Sequence, residues 1–304
     1  MARTDRTTSR SARKPNLLLI GASKCSTTTL YDVLHRHPQV WLPQKKGVYF
    51  FSSVEYGSPG AWDAYLELFE TVPPDTLVVG EASNTYTHQP QCGPVAERIK
   101  EQLDDPKFLY VVRDPVTRAV SHFRHKCLDS GSAYAMSLSE ALETDELLVS
   151  VSSYATQLQP YFDLFGPESV QIIVAEQMHL EPVAVMRQIE NFLELDPFDW
   201  QEHHMPRSNA FGELKQTVGW QKLLGRGLHQ KLRAITPAKL RRIVKPMAPK
   251  VPDPPSITPT AEQAIYDQIS HDLKKLVDML GDQVNIWPSV QKLSGVGSPT
   301  CSAT

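Results

Sequence analysis

The stretch PNLLLIGASKCSTTTLYDVL, residues 15–34, decides the fold of this protein. It begins with a short continuous apolar run at 16–21, which is typical of a strand that is buried on both faces. Small residues then form a turn, and from Thr29 the apolar residues recur at helical spacing until Pro38. The stretch therefore predicts a strand, a tight loop and a helix in direct succession.

Further apolar runs along the chain predict three more buried strands, at 76–83, 107–115 and 169–178. Segments with helical spacing lie between or after these runs, at 95–103, 116–128, 182–195 and 260–280. Strands that alternate with helices are typical of a three-layer α/β fold, in which helices flank a central parallel sheet. Ligands of such folds bind at the carboxyl ends of the strands, so we expect the functional residues there.

The length and composition fit one α/β domain. The chain has 304 residues, of which 41% are hydrophobic and 21% are charged, as in ordinary soluble proteins. We predict a single domain over 16–290, a disordered basic arm over 1–15 and a flexible tail over 291–304. The formal net charge of −3 argues against nucleic acid as a partner.

One segment departs from the even distribution of charge. Residues 215–250 contain ten Lys and Arg residues and no Asp or Glu. This pattern has three interpretations: a solvated helical face, a contact surface for an anionic molecule such as a glycan or the lipid head groups of a membrane, or an aid to nucleotide binding. Residues 245–260, at the end of this segment, are proline-rich and predict an extended loop.

The cysteines and the N-terminus bear on the location of the protein. Cys25, Cys92, Cys127 and Cys301 show neither a CxxC pair nor the spacing of a zinc site, so we interpret them as reduced thiols. The apolar run LLLI that follows the basic N-terminus is too short for a signal peptide or a membrane span. Together these features predict a cytoplasmic protein.

The loop that follows the first strand carries the chemistry of an anion site. A helix N-terminus presents free N–H donors, Lys24 adds a full positive charge, and four hydroxyl residues follow at 26–29. The alternative is an ordinary Ser/Thr cap, although a cap needs one hydroxyl and no lysine. The Walker A order is absent because the lysine precedes the hydroxyls, and no acidic residue at a strand end is evidently dedicated to Mg²⁺. An NTPase or nucleotide kinase is therefore disfavoured, and we expect no metal.

A second anion site is predicted at RDPVTRAVSH, residues 113–122. Arg113 ends a strand and Ser121 lies one to two turns into the next helix, so that a guanidinium and a hydroxyl can share one phosphate. The alternative is a salt bridge between Arg113 and Asp114. Two anion sites at adjacent strand ends suggest one ligand with two separated anionic groups.

These residues resemble the sulfotransferase family. IGASKCSTTTLYDVLHRHPQV is similar to the loop that binds the 5′-phosphosulfate in that family, and YVVRDPVTRAVSHFRH is similar to its 3′-phosphate site. VGEASNTY and VNIWP match further family segments, and the resemblance covers about 16–288. The resemblance is closest to the heparan-sulfate-like and bacterial branches of the family. It implies a P-loop-like fold.

The resemblance implies that the co-substrate is 3′-phosphoadenosine 5′-phosphosulfate (PAPS). The sulfuryl group would pass to a hydroxyl or amine of a carbohydrate or secondary-metabolite acceptor, a small molecule or a glycan. The alternative is a protein that binds the donor or its product PAP but has a degenerate acceptor site and little turnover. The residues expected to contact the donor are Lys24, Cys25, Ser26, Thr27, Thr28, Thr29, Arg113, Ser121 and, from a variable loop at 205–212, Arg207.

One position departs from the family pattern in a way that matters for catalysis. The family often reads K-E-P-H-F-F, with the Glu as catalytic base, whereas this chain reads KGVYFF at 46–51 and has Gly47 at the Glu position. We expect Lys24 and Lys46 to stabilise charge, and Glu81 or His122 to replace the base. The alternatives are a structural role for Glu81 in its turn, a surface position for His122 and the neighbouring His125, and, for Cys25, either a nucleophile or a packed thiol.

Overall fold

Five parallel strands form the central sheet of the protein. A computed structural model describes residues 13–130, 134, 136–201, 224 and 253–294. The strands run in the order β2-β3-β1-β4-β5, and each neighbouring pair is parallel. Their bounds are β1 (Leu17–Gly21), β2 (Val40–Trp41), β3 (Val78–Ala82), β4 (Lys107–Val112) and β5 (Val170–Val174). The predicted α/β fold with a central parallel sheet is confirmed.

Helices flank this sheet. Within the described ranges they are α1 (Thr27–Leu34), α2 (Ala61–Glu67), α3 (Val95–Gln102), α4 (Pro115–Ser130), α5 (Leu138–Thr144), α6 (Leu147–Ser150), α7 (Tyr154–Phe165), α8 (Ala175–Leu180), α9 (Pro182–Leu193), α10 (Pro259–Leu280) and α11 (Pro288–Leu293). Short 3₁₀ turns at Phe50–Ser52 and Asn84–Thr87 follow β2 and β3. The loops after β1, β3 and β4 open at one edge of the sheet, as the parallel topology requires.

The centre of the sheet is apolar on both faces. Every residue of β1 and of β3 is buried, which explains why these strands appear in the sequence as continuous apolar runs. Leu17 of β1 lies opposite Gly80 of β3 and Lys107 of β4 in the strand register. The strand β1 is thus the middle strand, and its loop lies between the loops of two neighbours.

The structure differs from the sequence prediction at the last strand. The predicted strand over 169–178 ends at Val174, and the remaining residues form α8. The apolar run continues because Ala175 and Met178 are buried on the inner side of that helix. Burial on one helical face and burial within a strand produce similar short apolar runs, so the pattern alone could not separate them.

The helix α10 connects the end of the described chain to its middle. The carboxylate of Asp272 accepts hydrogen bonds from the backbone N–H groups of Ala155 (3.1 Å) and Thr156 (2.7 Å), and from the Thr156 hydroxyl (2.7 Å). It therefore caps the N-terminus of α7 from a distant segment. Leu273 and Leu276, also on α10, belong to the same apolar core as the sheet.

Some predictions fall on residues that the structure does not describe. Arg207 and its loop at 205–212 lie outside the described residues, as do most of the basic segment 215–250 and the first part of the proline-rich segment. The proposed arm, domain and tail boundaries remain predictions for the same reason.

Candidate active site

The loop between β1 and α1 has a tightly constrained backbone. Lys24 and Ser26 both adopt left-handed conformations, with φ of 73° and 61°. A Cβ atom on Gly21, at the start of the loop, would lie 2.3 Å from Thr87 Oγ1, so only glycine fits there. Left-handed conformations are uncommon for residues other than glycine and occur preferentially at functional sites.

The hydroxyls of this loop do not serve as helix caps. Ser26 occupies the N-cap position of α1, but its side chain makes no capping hydrogen bond. Thr27 Oγ1 and Thr28 Oγ1 instead accept hydrogen bonds from Lys46 Nζ, at 2.8 Å and 3.2 Å. The cap alternative is therefore not realised, and the first turn of α1 keeps free N–H donors beside two amines.

Two amines in this site have lowered pKa values. Burial, followed by the charge of Arg113, lowers the pKa of Lys24 to about 8. Burial also lowers the pKa of Lys46 to about 8; the charge of Lys24 adds to this effect and the charge of Asp32 opposes it. Neither lysine forms a salt bridge with a carboxylate in the described part of the chain. A positive site without an acidic partner is suited to an anionic ligand.

Arg113, at the end of β4, joins this site to the second predicted one. Its Nη1 donates a hydrogen bond to the backbone oxygen of Lys24 over 3.3 Å. The neighbouring Asp114 has other partners, since its Oδ1 accepts from Thr117 and its Oδ2 accepts from the backbone N–H of Ser289. The alternative of an Arg113–Asp114 salt bridge is thus not observed among the described residues. Ser121 lies on α4, which begins directly after these residues.

A tyrosine that the sequence analysis did not single out ties the two loops together. Tyr154 Oη donates to the backbone oxygen of Arg113 (3.1 Å) and lies 3.4 Å from Cys25 Sγ. The thiol is fully buried, and burial raises its pKa to about 11. Cys25 is thus a packed, protonated thiol and not a nucleophile, which leaves only its backbone to face a ligand.

A further cation lies on α4 itself. Arg118 is fully buried and donates from Nε to Ser152 Oγ (2.7 Å) and from Nη1 to His122 Nδ1 (3.1 Å). Burial, followed by the charge of Arg118, lowers the pKa of His122 to about 2. A weakly basic imidazole that already accepts a hydrogen bond is a poor proton acceptor. The surface position considered for His122 is also wrong, because the side chain is 8% exposed.

Glu81, the other candidate base, lies at the end of β3 and is 1% exposed. Its carboxylate accepts hydrogen bonds from Ser83 Oγ (2.8 Å) and Tyr86 Oη (2.6 Å). Burial raises the pKa of Glu81 to about 7, although these hydrogen bonds oppose the shift. The contacts favour the structural role in the turn after β3, and its role as a base stays a prediction without geometric support.

Further polar contacts of the site were missed by the sequence analysis. Ser23 Oγ lies 2.8 Å from His88 Nε2, which links the first loop to the turn after β3. Burial lowers the pKa of His88 to about 4. Arg118 lies inside the RDPVTRAVSH motif, so it was visible in the sequence. Only the fold shows that Tyr154 joins the two anion loops and that Arg118 is buried beside His122.

Neither a metal-binding cluster nor a membrane-spanning helix is found in the part of the chain that the structure describes. The described residues contain no cluster of three or more His, Cys, Asp or Glu side chains that could hold a metal ion. Of the helices in the described ranges, none has the length and apolar character needed to cross a membrane.

Comparison with known proteins agrees with the geometry. The sequence model of the family described as "Sulfotransferase domain" matches residues 14–209, which is more than half of the chain. The solved sulfotransferase from Alicyclobacillus acidocaldarius is 28% identical with a TM-score of 0.55, covering 76% of this chain and 100% of that one. Mouse sulfotransferase SULT7A1, solved in complex with PAP, is 15% identical with a TM-score of 0.51, covering 94% and 91%. The latter shows similarity of fold alone.

Several curated relatives have heparan sulfate in their names. The mouse bifunctional heparan sulfate N-deacetylase/N-sulfotransferase 4 is 25% identical over 293 residues, which is 90% of this chain but 31% of the relative. The mouse heparan sulfate glucosamine 3-O-sulfotransferase 3A1 is 26% identical over 220 residues, 69% of this chain and 53% of the relative. The chain therefore spans about a third to a half of the length of these two proteins.

The family match and the P-loop-like fold of the structural neighbours confirm the family and enzyme class that the two loop motifs predicted. The chain belongs to the sulfotransferase family.

Proposed function

We propose that this protein transfers the sulfuryl group of PAPS to a hydroxyl or amine of a carbohydrate or secondary-metabolite acceptor. The observation that carries the proposal is the hydrogen bond from Arg113 to the backbone of Lys24. It joins two cationic loops at one edge of the sheet into a single site, and no carboxylate of the described chain pairs with either cation. PAPS has anionic groups at both its 5′ and its 3′ end, which such a double site would bind.

The residues present fit this donor. Lys24, Thr27, Thr28 and Lys46 surround the N-terminus of α1 and would hold the 5′-phosphosulfate. Arg113 and Ser121 would hold the 3′-phosphate, as the family resemblance implies. PAP in the SULT7A1 structure and heparan sulfate in the names of the curated relatives support the nucleotide and, more loosely, a glycan acceptor.

The protein would contribute charge stabilisation and positioning to the transfer. Negative charge grows on the phosphate that leaves, and the ammonium groups of Lys24 and Lys46 would stabilise it. Both amines are largely withdrawn from water, which strengthens their electrostatic effect. The N–H groups at the start of α1 add a fixed dipole. The left-handed loop would hold these N–H groups in place before PAPS binds.

A second candidate is a protein that binds PAPS or PAP with little turnover. One observation favours it, namely that Gly47 provides no side chain where the family pattern has its base. This candidate shares the nucleotide site with the first and differs from it only at the acceptor.

The experiment measures binding and transfer on the same preparation. Isothermal titration gives the affinity for PAP, and transfer of ³⁵S from labelled PAPS is followed with de-N-sulfated heparin, heparan sulfate and 2-naphthol as acceptors. We expect PAP binding, transfer to at least one acceptor, and a loss of about 10- to 100-fold in PAP affinity for Lys24→Ala. Lys274→Ala, an exposed lysine on α10, is the matched control and should bind PAP normally.

The outcomes separate the candidates. Binding without transfer to any acceptor supports the second candidate, whereas absence of PAP binding refutes both. If Lys24→Ala binds PAP as tightly as Lys274→Ala, the loop after β1 is not the phosphosulfate site.

A further inference from the structure

The side chain of Tyr49 is folded back over Gly47. Gly47 has φ of +86°, and a Cβ atom built on it would lie 2.6 Å from Tyr49 Oη and 2.7 Å from Tyr49 Cζ. The phenol therefore fills the space that a side chain at position 47 would occupy. The hydroxyl end of the ring, not its apolar edge, lies nearest to this point.

The backbone holds Tyr49 in an uncommon conformation. Tyr49 has φ of 59° and ψ of 17°, which is left-handed, and its N–H donates to Ser83 Oγ over 2.8 Å. Gly47 N–H donates to the backbone oxygen of Ala82 over 2.9 Å, so the segment is anchored to the end of β3 at two points. Left-handed residues other than glycine and asparagine persist only where their surroundings fix them, and they are frequent at functional sites.

This position is next to the anion site. Lys46 is the residue before Gly47, and its ammonium contacts Thr27 and Thr28 of the first loop. The side chain of Tyr49 is 47% exposed, and its hydroxyl forms no hydrogen bond with any part of the chain that the structure describes. Glu81 and His122 are buried and already hydrogen-bonded, so they leave the acceptor side to this phenol.

We propose that the Tyr49 hydroxyl contacts the acceptor and relays its proton to solvent, an inference that rests on the proposed sulfuryl transfer. The acceptor oxygen forms the new bond to sulfur, and the bond between sulfur and the bridging oxygen of the donor phosphate breaks with its electron pair remaining on phosphate. The acceptor proton passes to Tyr49 Oη while the proton of the phenol passes to water. The tyrosine ends the step in the state in which it began.

The first test is Tyr49→Phe, which keeps the ring over Gly47 and removes only the hydroxyl. With the best acceptor of the panel, we expect kcat to fall about tenfold or more, with unchanged PAP affinity and an unchanged KM for PAPS. Tyr56→Phe is the matched control, because Tyr56 packs against Phe50, the residue after Tyr49, but its hydroxyl contacts Glu101.

The second test detects contact between Tyr49 and the acceptor by NMR and does not depend on the reaction rate. Tyrosine labelled with ¹³C only at position 49 should shift its NMR signal when the acceptor is added to the PAP complex, and the same label at position 56 should not. This titration uses the unsubstituted protein and decides the matter even if Tyr49→Phe fails to fold.

The results distinguish the two proposals. If wild type and Tyr49→Phe transfer sulfuryl groups equally fast, the role of Tyr49 is refuted and the proposed function stands. An acceptor that leaves the position-49 signal unmoved overturns it as well. Wild-type protein that transfers to no acceptor refutes the function first, and the role of Tyr49 falls with it.

Discussion

Lys46 Nζ lies 2.8 Å from Thr27 Oγ1, although nineteen positions separate the two residues in sequence. This hydrogen bond brings the loop after β2 against the first turn of α1. It places a second, partly buried amine beside Lys24, and the charge of Lys24 lowers the pKa of Lys46. The site is thus prepared for an anion, and the same arrangement makes its charge sensitive to pH near 8.

The first prediction is that PAP affinity falls as the pH rises above 8. Lys24 and Lys46 have pKa values of about 8 in the free protein, so above that pH each must regain a proton before it can hold a phosphate. The affinity should decrease about tenfold per pH unit for each such lysine, and titration calorimetry from pH 7 to pH 9.5 measures this slope. Between pH 7 and the pKa values the lysines are charged and the slope should be small.

Substitution assigns this slope to the two residues. Lys46→Met removes one titrating amine. Above pH 8 its PAP affinity should therefore fall less steeply than that of wild type, by about a factor of ten per pH unit. An unchanged slope in Lys46→Met would show that Lys46 does not touch the bound anion.

The second prediction assigns Arg113 to the 3′-phosphate. Arg113→Ala should weaken PAP about 10- to 100-fold because it removes a charged hydrogen-bond donor, while AMP, which lacks the 3′-phosphate, should bind with nearly unchanged affinity. Lys24→Ala is the matched comparison and should weaken both nucleotides. Equal losses for PAP and AMP in Arg113→Ala would show that Arg113 acts only through its contact with the Lys24 backbone.

The third prediction concerns the left-handed serine at position 26. Ser26 adopts φ of 61° without using its hydroxyl as a cap, so Ser26→Gly should relieve backbone strain and raise the free energy of unfolding by about 1 kcal/mol. Thr28→Gly, two positions further along but within α1, should instead lower it by a similar amount. Chemical denaturation measures the free energy of unfolding of both variants. A loss of stability in Ser26→Gly would show that the backbone at Ser26 is not strained.

Four of the five strands, the two anion loops and five of the eleven helices in the described ranges could be predicted from sequence because their signals are local. Apolar runs such as that of β1 and the Lys24 to Thr29 series are continuous in the chain. The strand β2 has two residues, too few to produce a pattern. The link from Lys46 to Thr27 and the fold of Tyr49 over Gly47 depend on chain segments that meet only in the folded protein. Burial of Glu81 was equally invisible, since a carboxylate at a strand end looks the same whether it faces solvent or the core.

The fourth prediction concerns the pH dependence of stability through Glu81. Its pKa rises from an ordinary 4.5 to about 7 in the folded protein, so the folded state keeps a proton that the unfolded chain releases. The contribution of this group to stability should therefore fall as the pH rises from about 4.5 to 7 and then level off. The Tm difference between wild type and Glu81→Gln should shrink over that range.

A constant Tm difference from pH 5 to 8 would show that Glu81 titrates normally. The same variant tests catalysis, because full sulfuryl transfer by Glu81→Gln would exclude Glu81 as the base.

The match to the family model ends at residue 209, but the fold that supports the site extends further. Asp272 caps α7, and Trp287 donates from its indole to Glu176, which in turn accepts from the backbone of Asp114 beside the second anion loop. A fragment cut at the recognisable boundary would lose both supports and expose apolar core around the sheet. Anyone who transplants this domain, fuses it to another enzyme or divides it for complementation should therefore treat the last two described helices as part of the candidate active site.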